Sequence, residues 1–418
     1  MRWASPAKRS KRGDAHFAAN VLGATGPLLL VLGHFFEGRR WGSLIETAIE
    51  GQRLTEEDQL FILMQAGLYL TATRGMGAPE TRICYEAAEP LCHVVNRPRL
   101  LFMQLLGQLR YTLTTDKLSA AMQIAERVHA LAQEQNDAGL MLAAYQVFAA
   151  IFYFLGEFDS ARKYARHGVQ IWRSGSVQSP VAEEIQAPVV NCLGYEAMSD
   201  WHFGEIASCH ALLDEAISTA KELKDRYALA MALGWAAGLG HAERNHAEVD
   251  RLASDMIELS TRHNFVHGLA LGALYRGWAR SASGNTAEGI PWIEQGIRDL
   301  RANSTVLDLP FFLAGKAEAL HLADRTSEAL EAINEAVAIA ERFEHSYCSA
   351  ELHRLRGVFF AALGAEELRI EASFCEAIRI AKEQKSVSLE RRVEATYTEY
   401  RRQKAVASGD HGIRLPLW

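Results

Sequence analysis

The sequence predicts an all-α solenoid of stacked helical hairpins with a period near 40 residues, and three observations carry that prediction. From about residue 55 onward, apolar residues recur at spacings of three and four, as in 140–155 and 161–172. That spacing gives a helix one apolar face. Turn residues then recur at a fixed step: Gly204, Arg244, Gly284, Asp324 and Gly364 are each 40 residues apart. Small residues flank those turns. Ala197, Ala237, Gly277, Ala317 and Gly357 stand seven residues before them, and Ala216, Met256, Gly296 and Ala336 stand twelve after the first four, slipping to Ala377 in the fifth. Small residues on both sides of a turn let the two helices of a hairpin cross closely, where bulk would hold them apart.

Residues 1–16 read as a basic, flexible tail carrying Arg2, Lys8, Arg9, Lys11 and Arg12. Residues 17–54 read as an apolar first helix or a degenerate first hairpin. Phe17 to Phe36 is twenty residues without a charge, long enough to span a bilayer. Asn20, Gly23, Thr25, Gly26, Pro27, Gly33 and His34 interrupt it, and Arg39 and Arg40 follow, so no asymmetry of positive charge sets an orientation. A packed helix is the preferred reading and a membrane anchor over 17–36 the alternative.

The array is expected over 55–406. Gln59–Asn96 and Arg99–Asn136 form two hairpins separated by Pro98, the second helix of the latter opening at Ala120 and Ala121. The next unit carries Ala149, Gly156-Glu157-Phe158, Ala161 and Gly168. Its step to Ala197 is 48, and the eight extra residues fall in Arg173–Pro188, a loop of low helical content broken at Pro180 and Pro188. The five 40-residue units follow. Ser388–Ala405, rich in charges such as Glu390, Arg392 and Arg401, is expected to be a solvating end cap, and 407–418 a flexible or loosely docked tail. Eight or nine such hairpins bury a continuous core that one could not.

Composition narrows the function. A net charge of −7 gives no basic face for phosphates, so nucleic acid is not expected as the main partner. Six cysteines without a C-x-x-C pair read as reduced, buried thiols of a cytoplasmic protein. His263 with His267, and His345 with Cys348 and His353, lack the further ligands a zinc site needs. Cys209-His210 reads as packing, and Glu183-Glu184 and Glu366-Glu367 as solvated charge. No metal, cofactor or catalytic group is expected.

The pattern of small, aromatic and turn residues resembles the tetratricopeptide repeat. Several segments, notably Leu70-Thr71-Ala72-Thr73-Arg74-Gly75 with Ala78-Pro79-Glu80, Phe154-Leu155-Gly156-Glu157-Phe158, Arg276-Gly277-Trp278-Ala279, Glu288-Gly289-Ile290, Pro310-Phe311-Phe312-Leu313-Ala314 and Ala350 to Gly357, are similar to one bacterial regulator class. Those regulators join a class III nucleotide cyclase, a STAND-type AAA ATPase and a tetratricopeptide arm, and the likeness covers roughly 45–400. It implies a right-handed superhelix serving as a regulatory, partner-sensing arm. The catalytic parts do not carry over: Gly315-Lys316 is followed by Ala317 and has no phosphate-cradling glycine before it.

In such repeats the first helix of each hairpin lines a concave groove. That template implies groove positions at Tyr153, Asn191, Met198, Trp201, His241, Trp278, Ser281, Glu318, His321, Glu351 and Arg354, with Trp201 and Trp278 foremost. The expected function is a noncatalytic interaction or regulatory module of bacterial signalling that takes a protein or peptide in its groove. The alternatives are a scaffold held at the inner membrane by 17–36 and a small-molecule-sensing regulator.

Overall fold

The computed structural model describes residues 55–177, 187–406 and 413–417. The expected basic tail and the 17–36 apolar stretch lie outside the described residues. Helix α1 (Glu56–Arg74) pairs with α2 (Pro79–Val95), α3 (Pro98–Thr115) with α4 (Leu118–Gln135), and α5 (Ala138–Phe154) with α6 (Phe158–Arg173). Then α7 (Pro188–Phe203) pairs with α8 (Ile206–Glu222), α9 (Arg226–Ala242) with α10 (His246–His263), and α11 (Val266–Ala282) with α12 (Thr286–Ala302). Helices α13 (Leu309–Leu322) and α14 (Thr326–Phe343) follow, then α15 (Ser349–Ala362) and α16 (Glu367–Glu383), and α17 (Val387–Val406) closes the series. Each helix packs mainly on its sequence neighbours, so the chain is a helical-repeat solenoid. Among the described residues there is no strand, and no helix is long and apolar enough to cross a membrane.

The 40-residue step is a step between left-handed residues. Gly204, Arg244, Gly284, Asp324 and Gly364 all have positive φ, between 59° and 96°, and end first helices. A second series, Lys224, Asn264, Ser304, Glu344 and then Lys385, ends second helices in the same way. The left-handed residue turns the chain so that the next two amides reach back to the last carbonyls, as Gly204 N–H does to Trp201 and Glu205 N–H to Asp200. The small residues sit where helices cross. A Cβ on Gly277 would lie 2.6 Å from the Gly289 carbonyl oxygen, so α11 and α12 meet backbone to backbone there. Residues 178–186 of the loop expected over Arg173–Pro188 lie outside the described residues; on either side of it, Arg162 and Arg166 of α6 bond to Asp200 and Glu196 of α7.

The solenoid also meets itself. The turn after α1 approaches the loop after α12 so closely that a Cβ on Gly77 would lie 2.4 Å from the Asn303 carbonyl oxygen. Val306 N–H donates to the Thr114 carbonyl, and Ser346 N–H to that of Phe154, both at 2.8 Å. Ser119 N–H donates to the Glu344 carboxylate, Ser388 Oγ to the Trp201 carbonyl, and His202 Nδ1 pairs with Ser386 Oγ at 2.7 Å. Turns of the early hairpins thus rest on loops of the late ones, and the groove becomes a channel lined by both.

Helix α17 covers the end of the array with one face and leaves the other in solvent: Leu389, Val393, Tyr397 and Tyr400 are buried and Arg391, Glu394, Arg401 and Arg402 exposed. Arg392, expected among the solvated charges, reaches the Ala242 carbonyl through Nη2 at 2.6 Å. The tail residues 413–417 are docked through buried Leu415 and Leu417.

Candidate functional site

The channel holds a cavity of about 210 Å³ walled mainly by first helices. Its wall is a ladder of repeat positions. Tyr195, Trp235 and Tyr275 are one position at 40-residue steps, and Asn191, Met231, Leu271, Phe311 and Glu351 are another. Because first helices pack side by side, equivalent residues stack along the channel. Their rings touch: Tyr195 to Trp235 at 4.6 Å, Tyr153 to Tyr195 at 5.6 Å and Tyr153 to Tyr347 at 5.4 Å between centroids. Asn191 Oδ1 accepts from Trp235 Nε1 at 3.2 Å.

One part of the wall is ionic. Arg244 donates to both oxygens of Glu318 (2.8 and 2.9 Å) and to Glu351 (2.9 Å). Arg354, itself fully buried, donates to Glu351 at 2.7 Å and to the Leu417 carbonyl at 2.8 Å. Arg392 lies 3.7 Å from Glu351. Burial pushes the Glu351 carboxyl up, but Arg354, Arg392 and Arg244 together outweigh it and hold it well below the usual range. Burial lowers Arg392 to about 10, and Arg244 and Arg354 push the same way against the attraction of Glu351. The cavity histidines are all lowered by burial: His267 to about 4 by burial alone, and His202 and His241 further by nearby arginines.

Another part holds one carboxylate without a partner. Asp308 occupies the position before α13, yet its backbone is already helical and its side chain caps no amide. Pro310 removes one of the amides it could have capped. Among the described residues the Asp308 side chain has no hydrogen bond or ion pair. Burial lifts its carboxyl to about 6. Tyr275, already raised by burial, is raised further by the Asp308 charge, and Tyr153, Tyr195 and Tyr347 also feel it.

Of the groove positions expected from the sequence, Tyr153, Asn191, Met198, Trp201, His241, Glu318 and Glu351 line this cavity. Trp278 lies behind the wall, buried, with its indole N–H on Glu318 at 2.6 Å. Arg354 points to the docked tail, Ser281 bonds its own helix, and His321 stacks near Phe359 and pairs with Thr326. The sequence reading passed over Asp308, Arg244, Arg392, Tyr195, Trp235, Tyr275 and Tyr347. The aromatic ladder was findable from its 40-residue step. Asp308 was too, since the same position is Pro188, Ala228, Gly268 and Cys348 in neighbouring hairpins. Among the described residues no three His, Cys, Asp or Glu side chains gather as a metal site requires. Cys209 is buried, its Sγ donating to the Glu205 carbonyl.

Comparison with known proteins agrees with this architecture. The family model for anaphase-promoting complex subunit 5 matches residues 191–243, 301–348 and 341–393. An uncharacterized protein of Rhizobium meliloti (strain 1021) is 24% identical over 343 residues, 82% of this chain and 33% of that protein. The chain therefore spans about a third of the length of that relative. A Rap protein complexed with Competence and Sporulation Factor superposes with a TM-score of 0.50 at 12% identity, covering 88% of this chain and 99% of that one. At that identity the likeness is one of fold.

Proposed function

We propose that the chain is a noncatalytic tetratricopeptide-like binding module whose channel takes a segment of a protein or peptide, in bacterial signalling or regulation. The observation that carries this reading is the aromatic ladder around a cavity inside the superhelix. Packing alone would fill such a space with aliphatic side chains in contact, whereas a mostly apolar cavity with few oriented polar groups is what a ligand site requires. Tyr153, Asn191, Met198, Trp201, His241 and Glu351 are then ligand contacts. The Rap protein of shared fold is itself seen in complex with a factor, which supports the same use of the architecture. The greater length of the Rhizobium relative supports an arm of a larger protein; that this is a regulator of the cyclase and STAND ATPase kind rests on the sequence resemblance alone.

A small-molecule sensor is the second reading, favoured by a volume of about 210 Å³, which admits a few side chains or a small molecule. Filling the cavity tests both. At Gly315, on the cavity wall, an added Cβ meets nothing closer than Trp278 Cδ1 at 3.6 Å. Gly315→Leu is expected to abolish capture of a partner from native host lysate while leaving cooperative thermal unfolding intact. A partner retained by that variant would show that binding uses another surface.

A further inference from the structure

We infer that the Asp308 region of the cavity is a receptor for a positively charged ligand head, an ammonium or guanidinium group, held between the Asp308 carboxylate and the surrounding rings. This deepens the proposed binding function and rests on it.

Four observations lead there. The carboxylate lies on the cavity wall and has no partner among the described residues, whereas Glu318 and Glu351 on the same wall are each bonded to arginine. Repeat packing does not call for a charge at this position, because the equivalent residues are Pro188, Ala228, Gly268 and Cys348. The surroundings are aromatic: Tyr153, Tyr195, Tyr275, Tyr347 and Phe311 also line the cavity, and their rings form a connected wall, Tyr275 to Phe311 at 6.5 Å and Phe311 to Tyr347 at 6.4 Å. Tyr153, Tyr195 and Tyr275 line the cavity, and their hydroxyls make no hydrogen bond among the described residues, so they can accept from a ligand N–H. Aromatic faces attract cations through the ring quadrupole, and a carboxylate supplies the counter-charge. An anionic head would meet repulsion from Asp308, and a neutral one would leave the carboxylate desolvated and unpaired.

The occupant's charge can come from a free amine or from the terminus of a peptide. The full chain is titrated by calorimetry at pH 7.5 with phenethylammonium, agmatine and the neutral 2-phenylethanol. Phenylalanyl-alanine amide and its N-acetyl form make up the second arm. Wild type is expected to bind at least one cation ten times more tightly than the neutral probe, and Asp308→Asn to lose that preference. Stronger binding of the dipeptide amide than of phenethylammonium assigns the cation to a peptide terminus, and the reverse assigns it to a free amine. Affinity of the wild type for the cation is also expected to fall as pH is lowered through 6, and that of Asp308→Asn to stay flat. The neighbours whose titration Asp308 perturbs are the four phenols and the Cys348 thiol, all raised by burial. His202, His241 and His267, lowered by burial, and Arg110, Arg244, Arg392, Glu318 and Glu351 line the same cavity, so it is the flat profile of Asp308→Asn that assigns the pH dependence to Asp308. Equal binding of charged and neutral probes, unchanged preference in Asp308→Asn, or no cation binding at 10 mM would each overturn the inference. If 2-phenylethanol still binds and Gly315→Leu blocks it, the channel reading survives that failure. If Gly315→Leu changes nothing, both fall together.

Discussion

Two regions of one cavity wall treat charge in opposite ways. Around Glu351, three arginines and two glutamates are interlocked, with Trp278, Thr396 and two backbone carbonyls adding further hydrogen bonds. Around Asp308, a carboxylate stands among phenols with no hydrogen bond or ion pair among the described residues. Both lie on the repeat scaffold, so the difference does not come from the fold. A closed network of this kind fixes hairpins that are far apart in sequence, since Arg244 reaches 74 and 107 residues ahead. An open charge costs stability and is kept where something else completes it.

The comparison can be broken most sharply at Arg244. Its φ of 63° places a non-glycine residue where neighbouring hairpins have Gly204 and Gly284. Arg244→Gly relieves that backbone strain but strips Glu318 and Glu351 of a buried partner, so a net loss of about 3 kcal/mol is expected in urea unfolding. Stability equal to wild type would show that the ionic region contributes nothing to holding the hairpins.

Asp308→Asn is the opposite case and is expected to gain roughly 1–3 kcal/mol at pH 7.5. The sign follows from a folded carboxyl raised to about 6, above its ordinary value of 3.8. Between those values the folded chain holds more protons than the unfolded one, so wild-type stability falls as pH rises through that window. The advantage of the variant should therefore vanish below pH 4. An advantage independent of pH would mean that Asp308 is destabilising for some reason other than its charge.

Trp278→Phe keeps the ring and removes the N–H that Glu318 accepts. A loss of about 1.5 kcal/mol is expected, with ligand affinity unchanged because the indole lies behind the wall. Smallest is Lys224→Gly, at an exposed left-handed residue with φ of 55°. There the same exchange as at Arg244 meets no interior charge, and thermal unfolding should show a gain of about 1 kcal/mol.

The hairpins were legible in the sequence because turn geometry and helix crossing are local demands: a left-handed residue at each helix end, a small residue at each crossing. Tyr153, Asn191 and Trp201 line the channel as the tetratricopeptide resemblance implies for first-helix positions. What it could not place depends on contacts across the superhelix. Arg392 sits in a run of charges that reads as solvated, and only the return of α17 against α9 and α15 brings it inside. Arg354 was placed on the groove, but the docked tail covers it. Trp278 has groove spacing, yet the Glu318 carboxylate holds it back in the wall.

The self-contact of the solenoid alters how the chain should unfold. In an open repeat array every contact is with a neighbour, stability is nearly a sum over repeats, and end hairpins fray alone. Here His202 bonds across 184 residues, Trp201 across 187 and Ser119 across 225. Such contacts raise the contact order and tie the fate of the first hairpins to that of the last. Hydrogen exchange should then report one cooperative unit spanning α3 to α17 in place of a gradient from the ends, and removing α16 and α17 should hasten exchange at α7 as much as at α15.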